Sequence, residues 1–295
     1  MPEVISSPGE LKDRIRELRR TGSSLGFVPT MGALHAGHAA LFDSASSEND
    51  FVVASIFVNP LQFDRREDLE RYPRTMEHDL LVCDQHGVDI VFAPTAAELY
   101  PGDQLAFVDV PALTESLCGK FRPGHFRGVA TVVLKLLNLV QPDRAYFGEK
   151  DAQQLAVIRR MVQDLNVPVA IVPVATVREP DGLALSSRNK HLTFAERGIA
   201  PVLSRALQQA LELLLNKERS VALIRQSVLP LFAAHPEIRL EYFAITDPNT
   251  LEPMEHVDGP ALIAGAMWLG STRLIDNVSF RSERRILWGP SGGPV

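Results

Sequence analysis

Two histidines three residues apart, His35 and His38, close the segment Pro29-Thr-Met-Gly-Ala-Leu-His-Ala-Gly-His38. The segment leaves a strand-like run, turns through Gly32 and Gly37, and enters a helix-like run. A helix start offers unpaired backbone N–H groups and the positive end of a dipole, a setting that suits a phosphate chain. Both imidazoles can face that site from the first turn, and Gly37 removes a side chain where a nucleotide would approach the backbone. Taken alone, His-x-x-His favours a surface turn with two solvated histidines. Metal ligation has less support, because no carboxylate or cysteine lies nearby as a third ligand. The Gly-x-Gly-x-x-Gly fingerprint and the P-loop pattern are both absent.

Four further segments carry polar groups in suggestive places. Phe147-Gly-Glu-Lys-Asp-Ala-Gln-Gln154 follows a strand-like run, so Lys150 could set a point charge on a phosphate and Asp151 could cap a helix or hold a hydroxyl. A capped helix with a solvated lysine is the alternative. Arg178-Glu-Pro-Asp-Gly-Leu-Ala-Leu-Ser-Ser-Arg-Asn189 places two serines and an arginine at a turn, either a polyphosphate clamp or a polar loop. Ser55–Phe63 ends an apolar strand with Asn59 and Gln62, amides able to orient a small polar substrate. Gly119–Gly128 is basic and glycine-rich, fitting an anion site or a connection.

These segments must be positioned by something, and the hydrophobic pattern names it. Strands are expected at Leu25–Pro29, within the apolar run Phe51–Val58, and at Val88–Ala93, Arg144–Phe147 and Val169–Val177. Helices are expected at Gly37–Ser46, Arg74–His86, Val129–Val140 and Asp151–Leu165. Alternation of this kind indicates βαβ units and a parallel sheet, whose ligands bind at the carboxyl ends of the strands. The pattern then changes. A long helix is expected over Thr193–Lys217 and a second over Ser220–Phe232, with antiparallel strands at Arg239–Ile245 and Ala261–Trp268. The expected class is therefore α/β: a Rossmann-like parallel-sheet domain over residues 1–178, then a smaller α+β domain over 179–295. Gly289–Val295 has turn composition and is expected to be flexible.

Composition bounds the alternatives. The chain has 295 residues, 45% hydrophobic and 22% charged, with a net charge of −6, which is ordinary globular composition and argues against an electrostatic nucleic-acid binder. Cys83 and Cys118 are the only cysteines, so a disulfide framework or structural zinc site is not expected. The first twenty residues hold nine charged side chains, and the longest membrane candidate, Ala261–Leu269, is about half of the roughly 20 residues a span needs. A soluble, cytoplasmic protein with no membrane partner is expected.

In order and spacing from about residue 5 to 278, the segments resemble the pantothenate synthetase (pantoate–β-alanine ligase) family, of the His-x-Gly-His nucleotidyltransferase superfamily. The resemblance rests on Pro29–His38, Asn59–Phe63, Tyr72-Pro-Arg-Thr75, Phe121–Gly128, Phe147–Asp151, Asp181–Asn189 and Thr272-Arg-Leu-Ile-Asp-Asn277. It implies a Rossmann-like domain with a C-terminal domain closing over the site, a homodimer, and ATP-dependent joining of pantoate to β-alanine through pantoyl adenylate.

It also implies roles for residues. His35 and His38 contact phosphates, His38 being the proton donor to the departing group, and Lys150, Ser186, Ser187 and Arg188 hold the triphosphate from the other side. Met31, Gly32, Gly37, Gly148, Glu149, Val177 and Leu185 border the ATP, with Asp151 on the ribose. Gln62 and Gln154 grip pantoate, Gln62 also meeting β-alanine, with Asn59 and Thr30 beside them. Mg²⁺ is implied on the phosphates, with Asp79 a weak candidate ligand. The chain departs from the family pattern at Ala36, commonly acidic, at Leu61, commonly Thr, and at Leu185, commonly Met. A transferase that leaves its nucleotide on the product, and an inactive nucleotide-binding relative, are the rival readings.

Overall fold

A computed structural model describes residues 1–64 and 66–281. Its larger sheet contains β1 (Glu3–Ile5), β2 (Leu25–Thr30), β3 (Phe51–Ile56), β4 (Ile90–Phe92), β5 (Arg144–Gly148) and β6 (Ala170–Val174) in the order β1-β4-β3-β2-β5-β6. Every pairing is parallel. Such a sheet is covered on both faces, which is why β3 reads as an unbroken apolar run and is buried from Val52 to Ile56. The chain proceeds from β2 through β3 to β4 on one side and continues at β5 and β6 on the other. The order reverses at β2, and the crevice at that switch point, beyond the strands' carboxyl ends, is where an open α/β sheet binds its ligand. The turns after β2, β3 and β5 carry His35 and His38, Asn59 and Gln62, and Lys150.

The smaller sheet is antiparallel, β7 (Ile238–Thr246), β8 (Ala261–Leu269) and β9 (Thr272–Phe280), in that order. Along β8, Ala261, Ile263, Met267 and Leu269 pack under the helices Val202–Leu215 and Val221–Ala233, while Leu262 and Ala264 join the core of the larger sheet. Both faces of β8 are therefore occupied, and its sequence shows no polar alternation. The β9 edge lies beside the crevice.

Several elements differ from expectation. The helix expected over Thr193–Lys217 is two, Phe194–Ile199 and Val202–Leu215. Pro201 separates them because it has no N–H for the helical ladder. The helix expected from Val129 begins at His125, after left-handed Gly124. It buries eleven of its 16 residues and ends at Gln141, ahead of Pro142. β1, β9 and the helix Pro8–Arg20, capped by Ser7, were not expected from the pattern. The Gly289–Val295 expectation lies outside the described residues.

Candidate active site

The loop after β2 is shaped by a buried acid. Gly32 and Ala33 both have positive φ, +77° and +52°, and the Asp79 carboxylate accepts the N–H groups of Ala33 at 3.0 Å and Leu34 at 2.8 Å. It also accepts the Thr75 hydroxyl at 3.1 Å, and Asp79 is only 1% exposed. Asp79 is thus an anchor for the loop, its oxygens facing donors of the chain. Thr30 lines the crevice, but its hydroxyl donates to Ser55 O and accepts from Gly32 N, so it fixes the strand end.

The two histidines form their own helix cap. His35 Nδ1 accepts from Gly37 N at 3.0 Å, and His38 Nδ1 accepts from His35 N at 3.3 Å. An accepting Nδ1 leaves the neutral ring's proton on Nε2, so both imidazoles are fixed as Nε2–H donors. The rings lie 4.2 Å apart between centroids. A Cβ on Gly37 would fall 2.8 Å from His35 Cε1. The glycine therefore makes room for the His35 ring. Burial, then the charges of Lys150 and Lys190, lower the His35 pKa. Burial and the neighbouring His35 push His38 down to about 3. At neutral pH His38 in the unliganded site is thus a neutral hydrogen-bond donor.

The crevice holds a cavity of about 260 Å³. Met31 and His38 border it from β2, Asn59 and Gln62 from β3, and Lys150, Asp151 and Gln154 from β5. Arg188 reaches it from the 178–189 loop. A small adjoining recess joins Lys150 and Arg188 to Ser186, whose hydroxyl accepts Arg188 N at 3.3 Å. Val177 and Leu185 are paired through their backbones, Leu185 N donating to Val177 O at 3.0 Å. Gly32, His35, Gly37, Gly148, Glu149, Val177, Leu185 and Ser187 lie outside the cavity's lining. Both adjacent glutamines line the cavity, but the Gln153 amide is engaged within the chain, accepting Cys118 N and donating to Leu113 O and Ser116 O. Ala36 is exposed at the first helical position.

Sequence reasoning assigned no role to Arg122 and His125, which share the cavity. His125 Nδ1–H donates to Gln62 O at 2.8 Å and its Nε2 accepts from Arg122 Nη1 at 3.0 Å. Burial and Arg122 push His125 down to about 4, and burial also lowers the Arg122 pKa. Their signal was present in the basic segment Gly119–Gly128. What that segment meets, the 59–62 turn, is distant in sequence. There Asn59 Nδ2 donates to Gly128 O and to Gln62 Oε1, both at 3.1 Å, and Gln62 Nε2 meets Met31 Sδ at 2.8 Å. A Cβ on Gly128 would lie 2.2 Å from Leu61 O. Gly128→Ala is therefore expected to destabilise the fold by about 1–3 kcal/mol. It should also displace the Asn59 and Gln62 amides, which a denaturant titration and a ligand-affinity measurement would register together.

The lowered histidines also predict acid sensitivity. Between about 6.5 and its folded pKa, each of these histidines is neutral in the folded chain and protonated in the unfolded one. Unfolding then takes up protons, so stability falls as pH drops through this window and is recovered above about 6.5. The urea midpoint should be lower at pH 5 than at pH 7.5. His125→Gln should flatten the dependence by about one proton, and an unchanged slope would contradict the assignment.

The pantoate–β-alanine ligase family model matches residues 3–279. The chain belongs to that family. Membership makes it an enzyme of the ligase class. Family relatives include pantothenate synthetase of Moorella thermoacetica, 51% identical over 276 residues, covering 94% of this chain and 98% of the relative. The bifunctional pantoate ligase/cytidylate kinase of Synechococcus elongatus is 54% identical over 274 residues, which make up 91% of this chain and 52% of that protein. Among solved structures, pantothenate synthetase from Thermus thermophilus superposes with TM-score 0.88 at 48% identity, covering 94% of this chain and 98% of that one. The pantoate–β-alanine ligase of Francisella tularensis, complexed with β-γ ATP and β-alanine, gives TM-score 0.77 at 33% identity over 94% of this chain and 97% of that one. The parallel sheet and the small antiparallel sheet are those of the family.

Proposed function

We propose that this chain condenses pantoate with β-alanine at the expense of ATP, through an enzyme-bound pantoyl adenylate. One observation carries the reading. In a chain of this family, two cationic side chains, Lys150 and Arg188, and the fixed donor His38 converge on one cavity that the amide residues Asn59, Gln62 and Gln154 also line.

The chemistry requires such a division. A carboxylate is a poor acylating agent, so the pantoate carboxylate oxygen attacks the α-phosphorus and pyrophosphate leaves with its electron pair. The β-alanine nitrogen then attacks the acyl carbon, loses a proton, and expels AMP. Little covalent work falls to the protein; it aligns the reactants and stabilises charge on the leaving phosphates. We assign the phosphates to His35, His38, Lys150, Ser186, Ser187 and Arg188. The adenosine falls to Met31, Gly148, Val177 and Leu185, and the ribose to Asp151. Pantoate falls to Gln62 and Gln154, with Asn59 and His125 holding Gln62 in place.

Among the described residues no group of three His, Cys, Asp or Glu side chains could hold a metal ion. Such a donor set fits magnesium arriving as MgATP, neutralising the phosphates and keeping its waters. The reading also carries a homodimer and a cytoplasmic location. Among the described residues no helix is long and apolar enough to cross a membrane.

Product analysis by mass spectrometry tests the proposal. With MgATP and pantoate, pantothenate and AMP are expected only when β-alanine is added. A stable nucleotidylated product indifferent to β-alanine would establish the rival transferase, and ATP binding without turnover an inactive relative.

A further inference from the structure

The two phosphate-facing arms of the cavity are separate in sequence, and neither is braced by its own strand alone. Lys150 sits in the single turn Glu149–Asp151 after β5, while Ser186 and Arg188 belong to the 178–189 loop. Both arms meet at the edge of β9. On the Lys150 side, the Asn277 amide donates from one nitrogen to two successive carbonyls, Glu149 O at 2.9 Å and Lys150 O at 2.8 Å. On the other, the Asp276 carboxylate binds Arg178 through two bonds, Nη1–Oδ2 at 2.6 Å and Nη2–Oδ1 at 3.0 Å. Arg178 further donates to Gly182 O at 3.0 Å and to Asn277 O at 3.3 Å, and Asn277 N closes the network on Asp276 Oδ1 at 2.8 Å. Asp276 and Asn277 are 5% and 8% exposed, so these bonds compete little with solvent.

We propose that Asn277 is a positioning residue for nucleotide: its amide sets the height of the Lys150 turn against the Arg178-braced loop, so that Lys150 and Arg188 grip the same phosphate chain. The inference rests on the nucleotide reading of the cavity. A carbonyl pair accepts only from a donor, and both amide hydrogens of Asn277 are used. The role therefore depends on donation rather than on the volume of the side chain. Aspartate has the same shape but, ionised, would aim oxygen at two oxygens. Protonated, it could restore one bond, and contact with acceptors alone favours that neutral form.

Equilibrium titration with ATP alone tests this, using the full chain, Asn277→Ala and Asn277→Asp, with thermal melts alongside. Asn277→Ala is expected to weaken ATP binding about tenfold, the loss of one to two hydrogen bonds. Asn277→Asp should bind more weakly than Asn277→Ala at pH 8 and recover towards it or beyond it at pH 6. In pyrophosphate-release assays the KM for ATP should rise while that for pantoate stays within about twofold.

Wild-type affinity in Asn277→Asp at pH 8, an equal loss for ATP and pantoate, or unfolding of Asn277→Ala would each overturn the proposal, the last by assigning Asn277 to the fold alone. A wild-type chain that binds no ATP would overturn the nucleotide reading itself. Wild-type binding with unaltered variants overturns only the positioning role.

Discussion

Replacing His38 with alanine is expected to slow pyrophosphate release from ATP and pantoate by about 10²–10³-fold, the usual loss when one preorganised donor to a developing anion is removed. The expectation follows from the cap. Because the His35 N–H occupies His38 Nδ1, the Nε2–H is committed to the cavity. The ring needs no reorganisation when negative charge grows on the departing phosphates. Because burial and His35 push the His38 pKa down to about 3 in the unliganded site, the ring meets its ligand as a neutral donor. Two consequences separate this from imidazolium catalysis. His38→Gln, whose amide can present an N–H from a similar distance, should retain more activity than His38→Ala. The wild-type rate should also show no ionisation belonging to His38 between pH 5 and 8. Loss of the cap costs about 1 kcal/mol and leaves the fold standing. A folded His38→Ala within tenfold of wild type, or a wild-type rate falling with a pKa near 6 that His38→Gln abolishes, would reject the donor role.

How much of this was legible beforehand depends on sequence distance. β2, β3 and β5 announce themselves because a doubly covered parallel strand must be apolar throughout, and the polar clusters directly after them then mark the crevice. β1 is three residues long with Glu3 and Val4 exposed, too little periodicity to register. Pro201 was absorbed into a helical pattern because Leu203, Leu207, Ala210 and Leu214 keep their spacing on its far side. The residues whose contacts the pattern could not show are those whose partners are far away. Asp79 caps a loop 45 residues earlier, His125 holds a carbonyl 63 residues earlier, and Asn277 meets a turn 127 residues earlier. Each is an ordinary polar residue until folding supplies its acceptor. At Gly37 the space a Cβ would take is filled by the neighbouring His35 ring, a contact made only once the cap has formed.

The departures from the family pattern settle in the same terms. Leu185 contributes a backbone N–H to Val177, which any side chain other than proline permits. Leu61 matters here through its carbonyl against Gly128 rather than its side chain. Ala36 is exposed at the helix start, where an acid would have been favourable to the helix dipole. Nothing in the structure explains why alanine stands there.

Lys150→Met is expected to cost about 10²–10³-fold in pyrophosphate release, chiefly in kcat, because it removes the point charge on one side of the phosphate chain while keeping much of the side chain's bulk. The structure supplies a second readout that does not depend on turnover. Lys150 is one of the charges that lower the His35 and His38 pKa values, so removing it must move both upward. An NMR titration of the histidines in folded Lys150→Met should show His35 titrating closer to its ordinary value. His38 should move less in effect on function, since burial is the larger cause there and keeps it neutral at pH 7. The two readouts test different links. A kinetic loss with unmoved histidines would mean that Lys150 serves the phosphates from a position remote from the His35–His38 cap. Moved histidines with near wild-type release would mean that the ammonium faces the cap but not the leaving group. Both changes together are what a cavity with a cation and a fixed donor on the same departing phosphate must give: the charge that stabilises pyrophosphate also adds to the burial that keeps the neighbouring imidazoles neutral, and so helps keep their Nε2–H groups available as neutral donors.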